Sequence, residues 1–403
     1  MNKPFISPKL TTHEDVLEAL VDEVSLPMTI MVRIHERYHS ISEHFDRDAS
    51  NIKQYEPNVF PQGSVNLGTA NKPVGKKDEI DVDMVVNLLR LNKSKLSQAE
   101  LKALIHTEVQ LYARQHNMME PIDGKRCSTL NYRDHQHGED RFHVDILPSI
   151  PDVEGYSGVL TARGLDPSTF YIDGAIAITC KRHPNYRIRS QDWPVSNPKG
   201  YAKWFESSQQ AALIERRAHL VASGAYASVE EIPLFRVNTP LQKVVKILKR
   251  DRDVTMAGDK DKPISIILTT LAAHAYNGEN DIVSALKIVL RNMENYIETR
   301  NGKYYIPNPV NPAENFADKW EVEPKKAQKF FAWLRQAQKT YAVFLSSNIQ
   351  DAPDTLSHSL SDKVLGAIKS RLPSTVPPIA SRIKTEGDRM AQSPKVHKPW
   401  CRR

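Results

Sequence analysis

The sequence predicts an α+β protein made of two parts, and three observations support this fold class. Up to about residue 235, segments with helical spacing alternate with short β-branched segments. After Arg236 almost every segment has helical spacing. At 403 residues with 40% hydrophobic content, the chain is long enough for about two domains with cores of their own. We therefore expect a mixed part at residues 1–235, a helical part at 236–373 and a flexible basic tail at 374–403.

The mixed part is expected to begin with a long spine helix. Apolar residues between positions 14 and 46 recur three and four positions apart, and Pro27 marks a kink or break in this helix. Residues 97–117 predict another helix, because Ser97 and Glu100 have the spacing of a capping box.

Strands are predicted where β-branched and aromatic residues cluster, at 79–86, 128–132 and 141–150. Residues 151–236 contain many Pro and Gly residues and predict strands and long loops, with a helix near 209–223. The helical part contains five segments with helical spacing, TPLQKVVKILKRDRD, ISIILTTLAAHAY, DIVSALKIVLRNMENYIETR, KKAQKFFAWLRQAQKTYAVFL and DTLSHSLSDKVLGAIKSRL.

Composition limits the classes of function. The net charge is +7, but residues 374–403 hold seven basic and two acidic residues, or +5 of that total, which leaves +2 for the rest. A nearly balanced folded part argues against a long nucleic-acid track. The tail is either a solvated basic segment, a nucleic-acid arm or a docking point for a partner protein.

Location and covalent cross-links can also be predicted. No run approaches the roughly 20 apolar residues that cross a bilayer, and the first residues lack the apolar stretch of a signal peptide, so we expect a cytoplasmic protein without a membrane partner. Cys127, Cys180 and Cys401 lie far apart, which predicts free thiols rather than a disulfide framework or a zinc ribbon.

In the stretch DEIDVDMVV, Asp81 and Asp83 lie inside an otherwise apolar run that begins at Ile80. In a strand, Glu79, Asp81 and Asp83 share one face, and the two aspartate carboxylates stand roughly 6 to 7 Å apart at about 3.3 Å per residue. Such a pair repels unless a cation lies between the carboxylates, and a pair of magnesium ions fits. Asp145 interrupts a second strand in the same way, and His143 shares its face. The alternative for each aspartate alone is a surface acid.

Upstream, GSVNLGT predicts a turn into a short helix. Gly63 lets the backbone approach a phosphate, Ser64 adds a hydroxyl, and a helix N-terminus offers free N–H groups to an anion. Ser64 followed by Asp81, Asp83 and Asp145 resembles the polymerase-β-like nucleotidyltransferase superfamily. Five sequence segments resemble those of the bacterial cGAS/DncV-like nucleotidyltransferases, or CD-NTases, of anti-phage CBASS systems. They are GSVNLGT, DEIDVDMVV, FHVDILPSIP, LKRDRD and KPISIILTTLAAHAY.

The resemblance implies an enzyme with a polymerase-β-like catalytic lobe, an oligoadenylate-synthetase-like helical lobe and a nucleotide-filled cleft between them. It implies that Asp81 and Asp83 hold two magnesium ions, for which manganese can substitute, and that Asp145 completes the ion that activates the attacking hydroxyl. The triphosphate of the donor nucleotide would contact residues of both lobes, namely Gln62, Gly63, Ser64, Lys249 and Ser265. For Lys249 the alternative is a solvated position on a helix, and for Ser265 it is a helix cap.

A second candidate contact to the nucleotide lies in SNPKGYAKWF. Ser196 and Asn197 offer hydrogen bonds, and Tyr201 and Trp204 offer stacking surfaces for a base. The alternative is a turn whose aromatic residues only pack against the core.

The sequence thus predicts a synthase that joins ATP and other nucleoside triphosphates into a cyclic di- or trinucleotide and releases pyrophosphate. Two alternatives stay open: a nucleotidyltransferase acting on RNA or a small acceptor, and a non-catalytic nucleotide sensor. The clustered His and Cys residues of the vertebrate zinc insertion are missing, which argues against activation by long nucleic acid. The resemblance instead implies an accessory regulatory protein that acts on the fold or on the tail.

Overall fold

The computed structural model describes residues 9–75, 79–132, 142–224 and 237–373. The predicted tail, 374–403, lies outside the described residues. Within them the chain alternates helices and strands up to Ser196 and is mainly helical afterwards, as the sequence predicts.

The N-terminal region forms two helices, α1 (His13–Val24) and α2 (Met28–Asp46). The break predicted at Pro27 is confirmed, because the chain is extended between the two helices, with ψ near 150° at Ser25 and Pro27. Residues 14 to 46 therefore form two helices rather than one continuous spine. Proline disfavours helical geometry in the residue before it and has no N–H to donate, so the α1 helix ends ahead of Pro27.

A seven-stranded mixed sheet forms the centre of the first part. Its core order is β1-β2-β5-β4-β3, and β6 extends it by pairing with the end of β5 and with β7. The central pair, β2 and β5, is parallel, and the other pairs are antiparallel. The strands are β1 (Pro57–Gln62), β2 (Ile80–Leu88), β3 (Ile122–Asp123), β4 (Ser128–Tyr132), β5 (Phe142–Pro151), β6 (Ile176–Ile178) and β7 (Val195–Ser196).

The alternation predicted for β2 is confirmed by its packing. Ile80, Val82 and Met84 lie in a hydrophobic cluster, called the first core below, with residues of α2 and of α4 (Gln98–Gln115). Val85 belongs to a smaller cluster on the opposite face. The capping box predicted for α4 is also present, because Ser97 and Glu100 each accept a hydrogen bond from the other's backbone N–H.

Four further helices belong to the mixed part. They are α3 (Gly63–Asn66), α5 (Val153–Thr161), α6 (Pro198–Ser207) and α7 (Gln210–Ala222). The helix predicted near 209–223 is thus confirmed. SNPKGYAKWF is the start of α6 rather than a turn, because Asn197 caps this helix and Pro198 occupies its first position.

Seven helices follow residue 237 in the described chain: α8 (Pro240–Thr255), α9 (Ser265–Ala275), α10 (Ile282–Asn292), α11 (Asp318–Val322), α12 (Pro324–Ser346), α13 (Ala352–Thr355) and α14 (Asp362–Lys369). Short 3-10 helices lie at Lys53–Tyr55, Pro167–Thr169 and Met293–Tyr296. The last predicted helical segment is only partly helical, since α13 and α14 leave 356–361 outside both helices.

The predicted helix DIVSALKIVLRNMENYIETR ends early, at Asn292, because a β-hairpin follows. Asn301 and Gly302 both have positive φ and form the two-residue turn between β8 (Glu298–Arg300) and β9 (Lys303–Tyr305). A second small pair joins β10 (Pro307–Asn308) and β11 (Asn311–Asn315).

Hydrophobic packing groups α1 with the helices after residue 237. Val16, Leu17 and Leu20 of α1 share one cluster, called the second core below, with Tyr201 and Phe205 of α6 and with the buried faces of α8, α9, α10 and α12. The boundary predicted at 235/236 stays a prediction, but the second core draws on segments from both sides of it. Among the described helices, none combines the length and the apolar content that a bilayer crossing requires.

Candidate active site

Three predicted aspartates lie on one face of the two central parallel strands. Asp83 of β2 is directly opposite Asp145 of β5, and Asp81 is opposite His143. Parallel pairing in this register brings together acids that are more than sixty positions apart in the sequence, as the strand patterns suggested.

Asp81, His143 and Asp145 offer one ligand atom each, and these atoms lie within 4.8 Å of one another. Nε2 of His143 is 3.0 Å from Oδ1 of Asp81, and its Nδ1 is 3.6 Å from Oε2 of Glu79. The hydrogen bond to Asp81 raises the pKa of His143, although partial burial opposes it. Among the described residues, Asp83 lies outside this ligand group.

Asp83 is half-buried, and its carboxyl has a pKa raised to about 7. Burial is the main cause, and the negative charges of Asp81 and Asp145 add to it. The positive charges of His143 and Lys249 oppose this rise but do not offset it. The oxygen donors of the three aspartates therefore fit a divalent cation such as magnesium.

Three neighbours that sequence reasoning missed touch this cluster. Thr129 of β4 donates its hydroxyl to Oδ1 of Asp145, and Tyr38 of α2 donates to the backbone oxygen of Asp83 at 2.8 Å. Cys127 packs nearby, where burial and the charges of Asp145 and Asp83 raise its pKa to about 12. Only strand pairing could have identified Thr129, which faces Asp145 across β4 and β5.

Gly63 and Ser64 begin the short helix α3, as predicted. Gly63 has φ +67°, and a Cβ atom placed on it would lie 2.2 Å from Oδ2 of Asp83. Glycine is therefore required twice here, for its backbone conformation and for its lack of a side chain. Gln62 precedes the helix and pairs with Asp83 across β1 and β2.

A cavity of about 590 Å³ lies between α3, β2, α8 and α9. Four predicted site residues line it: Ser64, Asp81, Lys249 and Ser265. Three cations missed at the level of sequence line it as well, namely Lys72, Arg252 and Lys262. The remaining predicted residues, Gln62, Gly63, Asp83, Asp145, Ser196 and Asn197, are not part of its lining.

Lys249 is 7% exposed, so the alternative of a solvated helix position is wrong. Its Nζ donates to the backbone oxygen of Thr69 at 2.8 Å. Burial, together with the charge of Arg252, lowers its pKa to about 8. A buried cation beside an open polar cavity is suited to meet an anionic ligand.

Ser265 is the first residue of α9, and Ile264 holds the capping position, so the alternative of a serine cap is also wrong. Oγ of Ser265 accepts a hydrogen bond from Nη1 of Arg252 at 3.1 Å, and the same nitrogen donates to the backbone oxygen of Pro263. Arg252 thereby fixes the start of α9 at the edge of the cavity.

Ser196 and Asn197 are placed differently from the other candidates. Asn197 is 4% exposed; its side-chain oxygen accepts from the N–H of Gly200, and its amide donates to the backbone oxygen of Tyr171. The hydroxyl of Tyr201 is bonded to Thr270. These contacts favour the packing alternative over base recognition for this stretch.

Comparison with known proteins indicates the class of enzyme, a nucleotidyltransferase. Residues 57–148 match the family of nucleotidyltransferase domains described as cyclic GMP-AMP synthase DncV-like. This match spans β1, α3, β2 and most of β5, and therefore both acidic strands. Over these residues the chain is similar to the DncV-like nucleotidyltransferases.

Two curated relatives cover most of the chain. A c-di-GMP synthase of Roseivirga ehrenbergii is 29% identical over 331 residues, which are 80% of this chain and 77% of the relative. The cyclic dinucleotide synthase CdnG of Bradyrhizobium diazoefficiens is 24% identical over 336 residues, 79% of this chain and 71% of the relative.

Solved structures confirm the predicted fold, a polymerase-β-like lobe with a helical lobe. The Bradyrhizobium diazoefficiens CD-NTase CdnG, solved with GTP, matches with a TM-score of 0.66 and 20% identity over 92% of this chain and 99% of that chain. The Escherichia coli CdnC in its complex with HORMA-deltaN matches with a TM-score of 0.56 and 12% identity over 90% of this chain and 98% of that chain.

Proposed function

We propose that the chain joins nucleoside triphosphates into a cyclic di- or trinucleotide and releases pyrophosphate. The observation that carries this proposal is the single cavity in which Ser64, Asp81, Lys249 and Ser265 meet. It brings a carboxylate of the acidic strands together with two buried cations of α8, Lys249 and Arg252. The names of the two curated relatives, both cyclic dinucleotide synthases, support the same reaction.

The acidic cluster is proposed to hold magnesium through Asp81, Asp83 and Asp145. When bound, magnesium would supply Lewis-acid stabilisation of the charge that develops in phosphoryl transfer, and manganese can substitute for it. Thr129 holds one oxygen of Asp145, so that carboxylate keeps a fixed orientation. His143 keeps Asp81 on the same side of β2 by its hydrogen bond.

The triphosphate of the donor nucleotide is proposed to lie along the basic wall of the cavity. Ser64 offers its hydroxyl, and Lys249, Arg252 and Lys262 offer positive charge in the same cavity. These groups would neutralise the pyrophosphate as it leaves, which is the second requirement of in-line phosphoryl transfer. Gly63 allows the backbone to come close without a side chain in between.

We further propose ATP and other nucleoside triphosphates as substrates, a role in anti-phage signalling and an accessory regulatory protein. The GTP complex of CdnG and the HORMA-deltaN complex of CdnC support the ligand and the partner class. Residues 374–403 remain a candidate docking point on grounds of charge alone.

The test is product analysis. Purified protein is incubated with all four nucleoside triphosphates and magnesium or manganese, treated with phosphatase and examined by mass spectrometry. We expect a phosphatase-resistant cyclic product, because a ring has no terminal phosphate. The double variant Asp81→Ala/Asp83→Ala should lose the product, whereas Glu154→Gln, an exposed acid outside the cavity, should keep it.

Three results would count against the proposal. Linear products alone, across several pH values and with candidate partners added, would indicate transfer to another acceptor. RNA affinity that falls steeply with salt would favour an RNA substrate, since each phosphate contact adds to that slope. Nucleotide binding without any product would indicate a sensor.

A further inference from the structure

Two histidines on the outer face of α2 form a pair of ligand atoms separate from the acidic strands. His35 and His39 are one helical turn apart and both are exposed. Their Nε2 atoms lie 3.1 Å apart, and their rings are nearly perpendicular, at 87°. Residues four apart on a helix lie on the same side, so both nitrogens point to one location.

This spacing suits chelation of a single metal ion. Zinc–nitrogen bonds are about 2.0 to 2.1 Å long, so two nitrogens 3.1 Å apart subtend an angle of about 95 to 102° at the ion. That angle falls between the square and tetrahedral arrangements that nitrogen ligands adopt around copper, nickel and zinc. In the metal-free pair one ring N–H is shared between the two Nε2 atoms. Each ring can instead carry its proton on Nδ1, which leaves both Nε2 lone pairs for a metal.

The residues around the two histidines favour one class of metal ion. The two histidines open onto a cavity of about 310 Å³ that also contains Ser42 and Asn66. Among the described residues that line this cavity there is no carboxylate. Magnesium prefers oxygen ligands, whereas imidazole suits zinc, copper and nickel. The pair is therefore chemically distinct from the carboxylates of β2 and β5.

The position of the pair connects it to the candidate active site. Tyr38 lies between the two histidines in sequence, lines the same cavity and donates its hydroxyl to the backbone oxygen of Asp83. Val65 and Asn66, which follow Ser64 in α3, form another part of the wall. An ion at His35 and His39 would thus bind the turn of α2 that contacts both catalytic motifs.

We propose that His35 and His39 form a binding site for a divalent transition-metal ion of the zinc class, completed by water. The proposal depends on these side chains alone and not on the reaction proposed above. Its test is a binding measurement, so failure of one proposal can be told from failure of the other.

Zinc binding is measured by titration calorimetry in excess magnesium for the full-length wild type, His35→Gln and His39→Gln. Each substitution should weaken zinc binding at the site by about tenfold or more, because one of two protein ligands is lost. His358→Gln, which changes an exposed histidine outside the cavity, should bind zinc as the wild type does. Electron paramagnetic resonance of bound copper should show two nitrogen ligands in the wild type and one fewer in each of the two variants.

Circular dichroism and thermal unfolding should be alike in all four proteins, because the three side chains are exposed. If His35→Gln and His39→Gln bind the same number of zinc ions as the wild type with the same affinity, the assignment is overturned. It is equally overturned if His358→Gln loses as much affinity as they do.

Discussion

At the scale of single residues, Gly63 lies where a side chain would collide with the carboxylate of Asp83. The atom that a Cβ on Gly63 would meet is Oδ2 of Asp83, at the far end of a side chain that can rotate. A methyl group at position 63 would therefore displace the carboxylate more than it would disturb the backbone of β2.

The substitution Gly63→Ala should separate activity from stability. The positive φ costs an alanine about 1 to 2 kcal/mol of unfolding free energy. Synthesis should fall about 100-fold or more, because Asp83 can no longer hold its position. Gly164→Ala is the matched control, since Gly164 has φ +72° with no described atom within 4 Å of an added Cβ. The two variants should lose similar stability in urea unfolding, and only Gly63→Ala should lose activity; equal activity in both would contradict the contact.

The raised pKa of Asp83 also makes the stability of the fold depend on pH. Its folded pKa is about 7 and its unfolded value is near 3.8, so the folded state binds the proton more tightly between these values. Stability that this group contributes is present at low pH and is lost as pH rises from about 4 to 7. In the absence of a cation, ionised Asp83 thus destabilises the fold.

We expect Asp83→Asn to be inactive but more stable than the wild type at pH 8 without magnesium. The gain should be about 2 to 4 kcal/mol, since one pKa unit corresponds to about 1.4 kcal/mol, and it should disappear near pH 4. Urea unfolding at several pH values measures the gain. Magnesium should reduce it by stabilising the wild type. If Asp83→Asn were less stable than the wild type at pH 8, the ionised carboxylate of Asp83 would not destabilise the fold. Glu154→Gln serves as the control.

At the scale of elements, α8 is unusual in burying several cations along one helix. Lys246 and Lys249 are one turn apart, and burial lowers the pKa of each to about 8. Nζ of Lys246 donates to Oγ of Ser25, just after α1, and to Oδ1 of Asn238. Asn71, in the segment after α3, donates its amide to the backbone oxygen of Lys246. The helix thus joins the candidate phosphate-binding segment to the second core.

Lys246→Met should change the pH dependence of stability. The lysine releases its proton near pH 8 when folded and near 10.5 when unfolded, so wild-type stability should rise with pH across this window. The rise should be about 3 kcal/mol relative to Lys246→Met, which has no proton to release. Urea unfolding of both proteins between about pH 7.5 and 10.5, which spans the two pKa values, measures this rise. The exposed Lys325→Met is the control, and parallel curves for wild type and Lys246→Met would refute the assignment.

Several elements could be predicted because their signals are local. Ser97 and Glu100 mark the start of α4 by their spacing, and the alternation of apolar residues in β2 gives its buried face. The turn at Asn301 and Gly302 has an equally local signal, an Asn-Gly pair between β-rich residues, and the helical spacing upstream concealed it. Pro27 was recognised as a possible break, but spacing alone could not show that α1 and α2 enter different cores.

At the scale of the whole molecule, the acidic half of the site was predictable and the basic half only in part. Asp81, Asp83 and Asp145 stand out because an acid in an apolar strand costs stability unless it has a use. Arg252 and Lys262 have no such signal, since charged residues at the end of a helix and in a loop are common. Their approach to Ser64 depends on how α8 and α9 pack against the sheet, which no local pattern encodes.

The two cores are each assembled from distant parts of the chain. α1 packs in the second core, and the backbone N–H of Leu10 donates to the oxygen of Arg371, just after α14. α2, which follows directly, packs in the first core instead. The second core therefore combines residues from the first thirty positions of the chain with residues close to position 371.

This arrangement has a consequence for synthesis on the ribosome. At about 5 to 20 residues per second, the apolar face of α1 waits on the order of 20 to 70 s for the segment near Arg371 to be translated. The sheet of the first core can close much earlier, since β5 ends at Pro151. A nascent chain would thus possess its acidic strands well before the cations of α8, and the cavity of the candidate site could form only after α9 is translated.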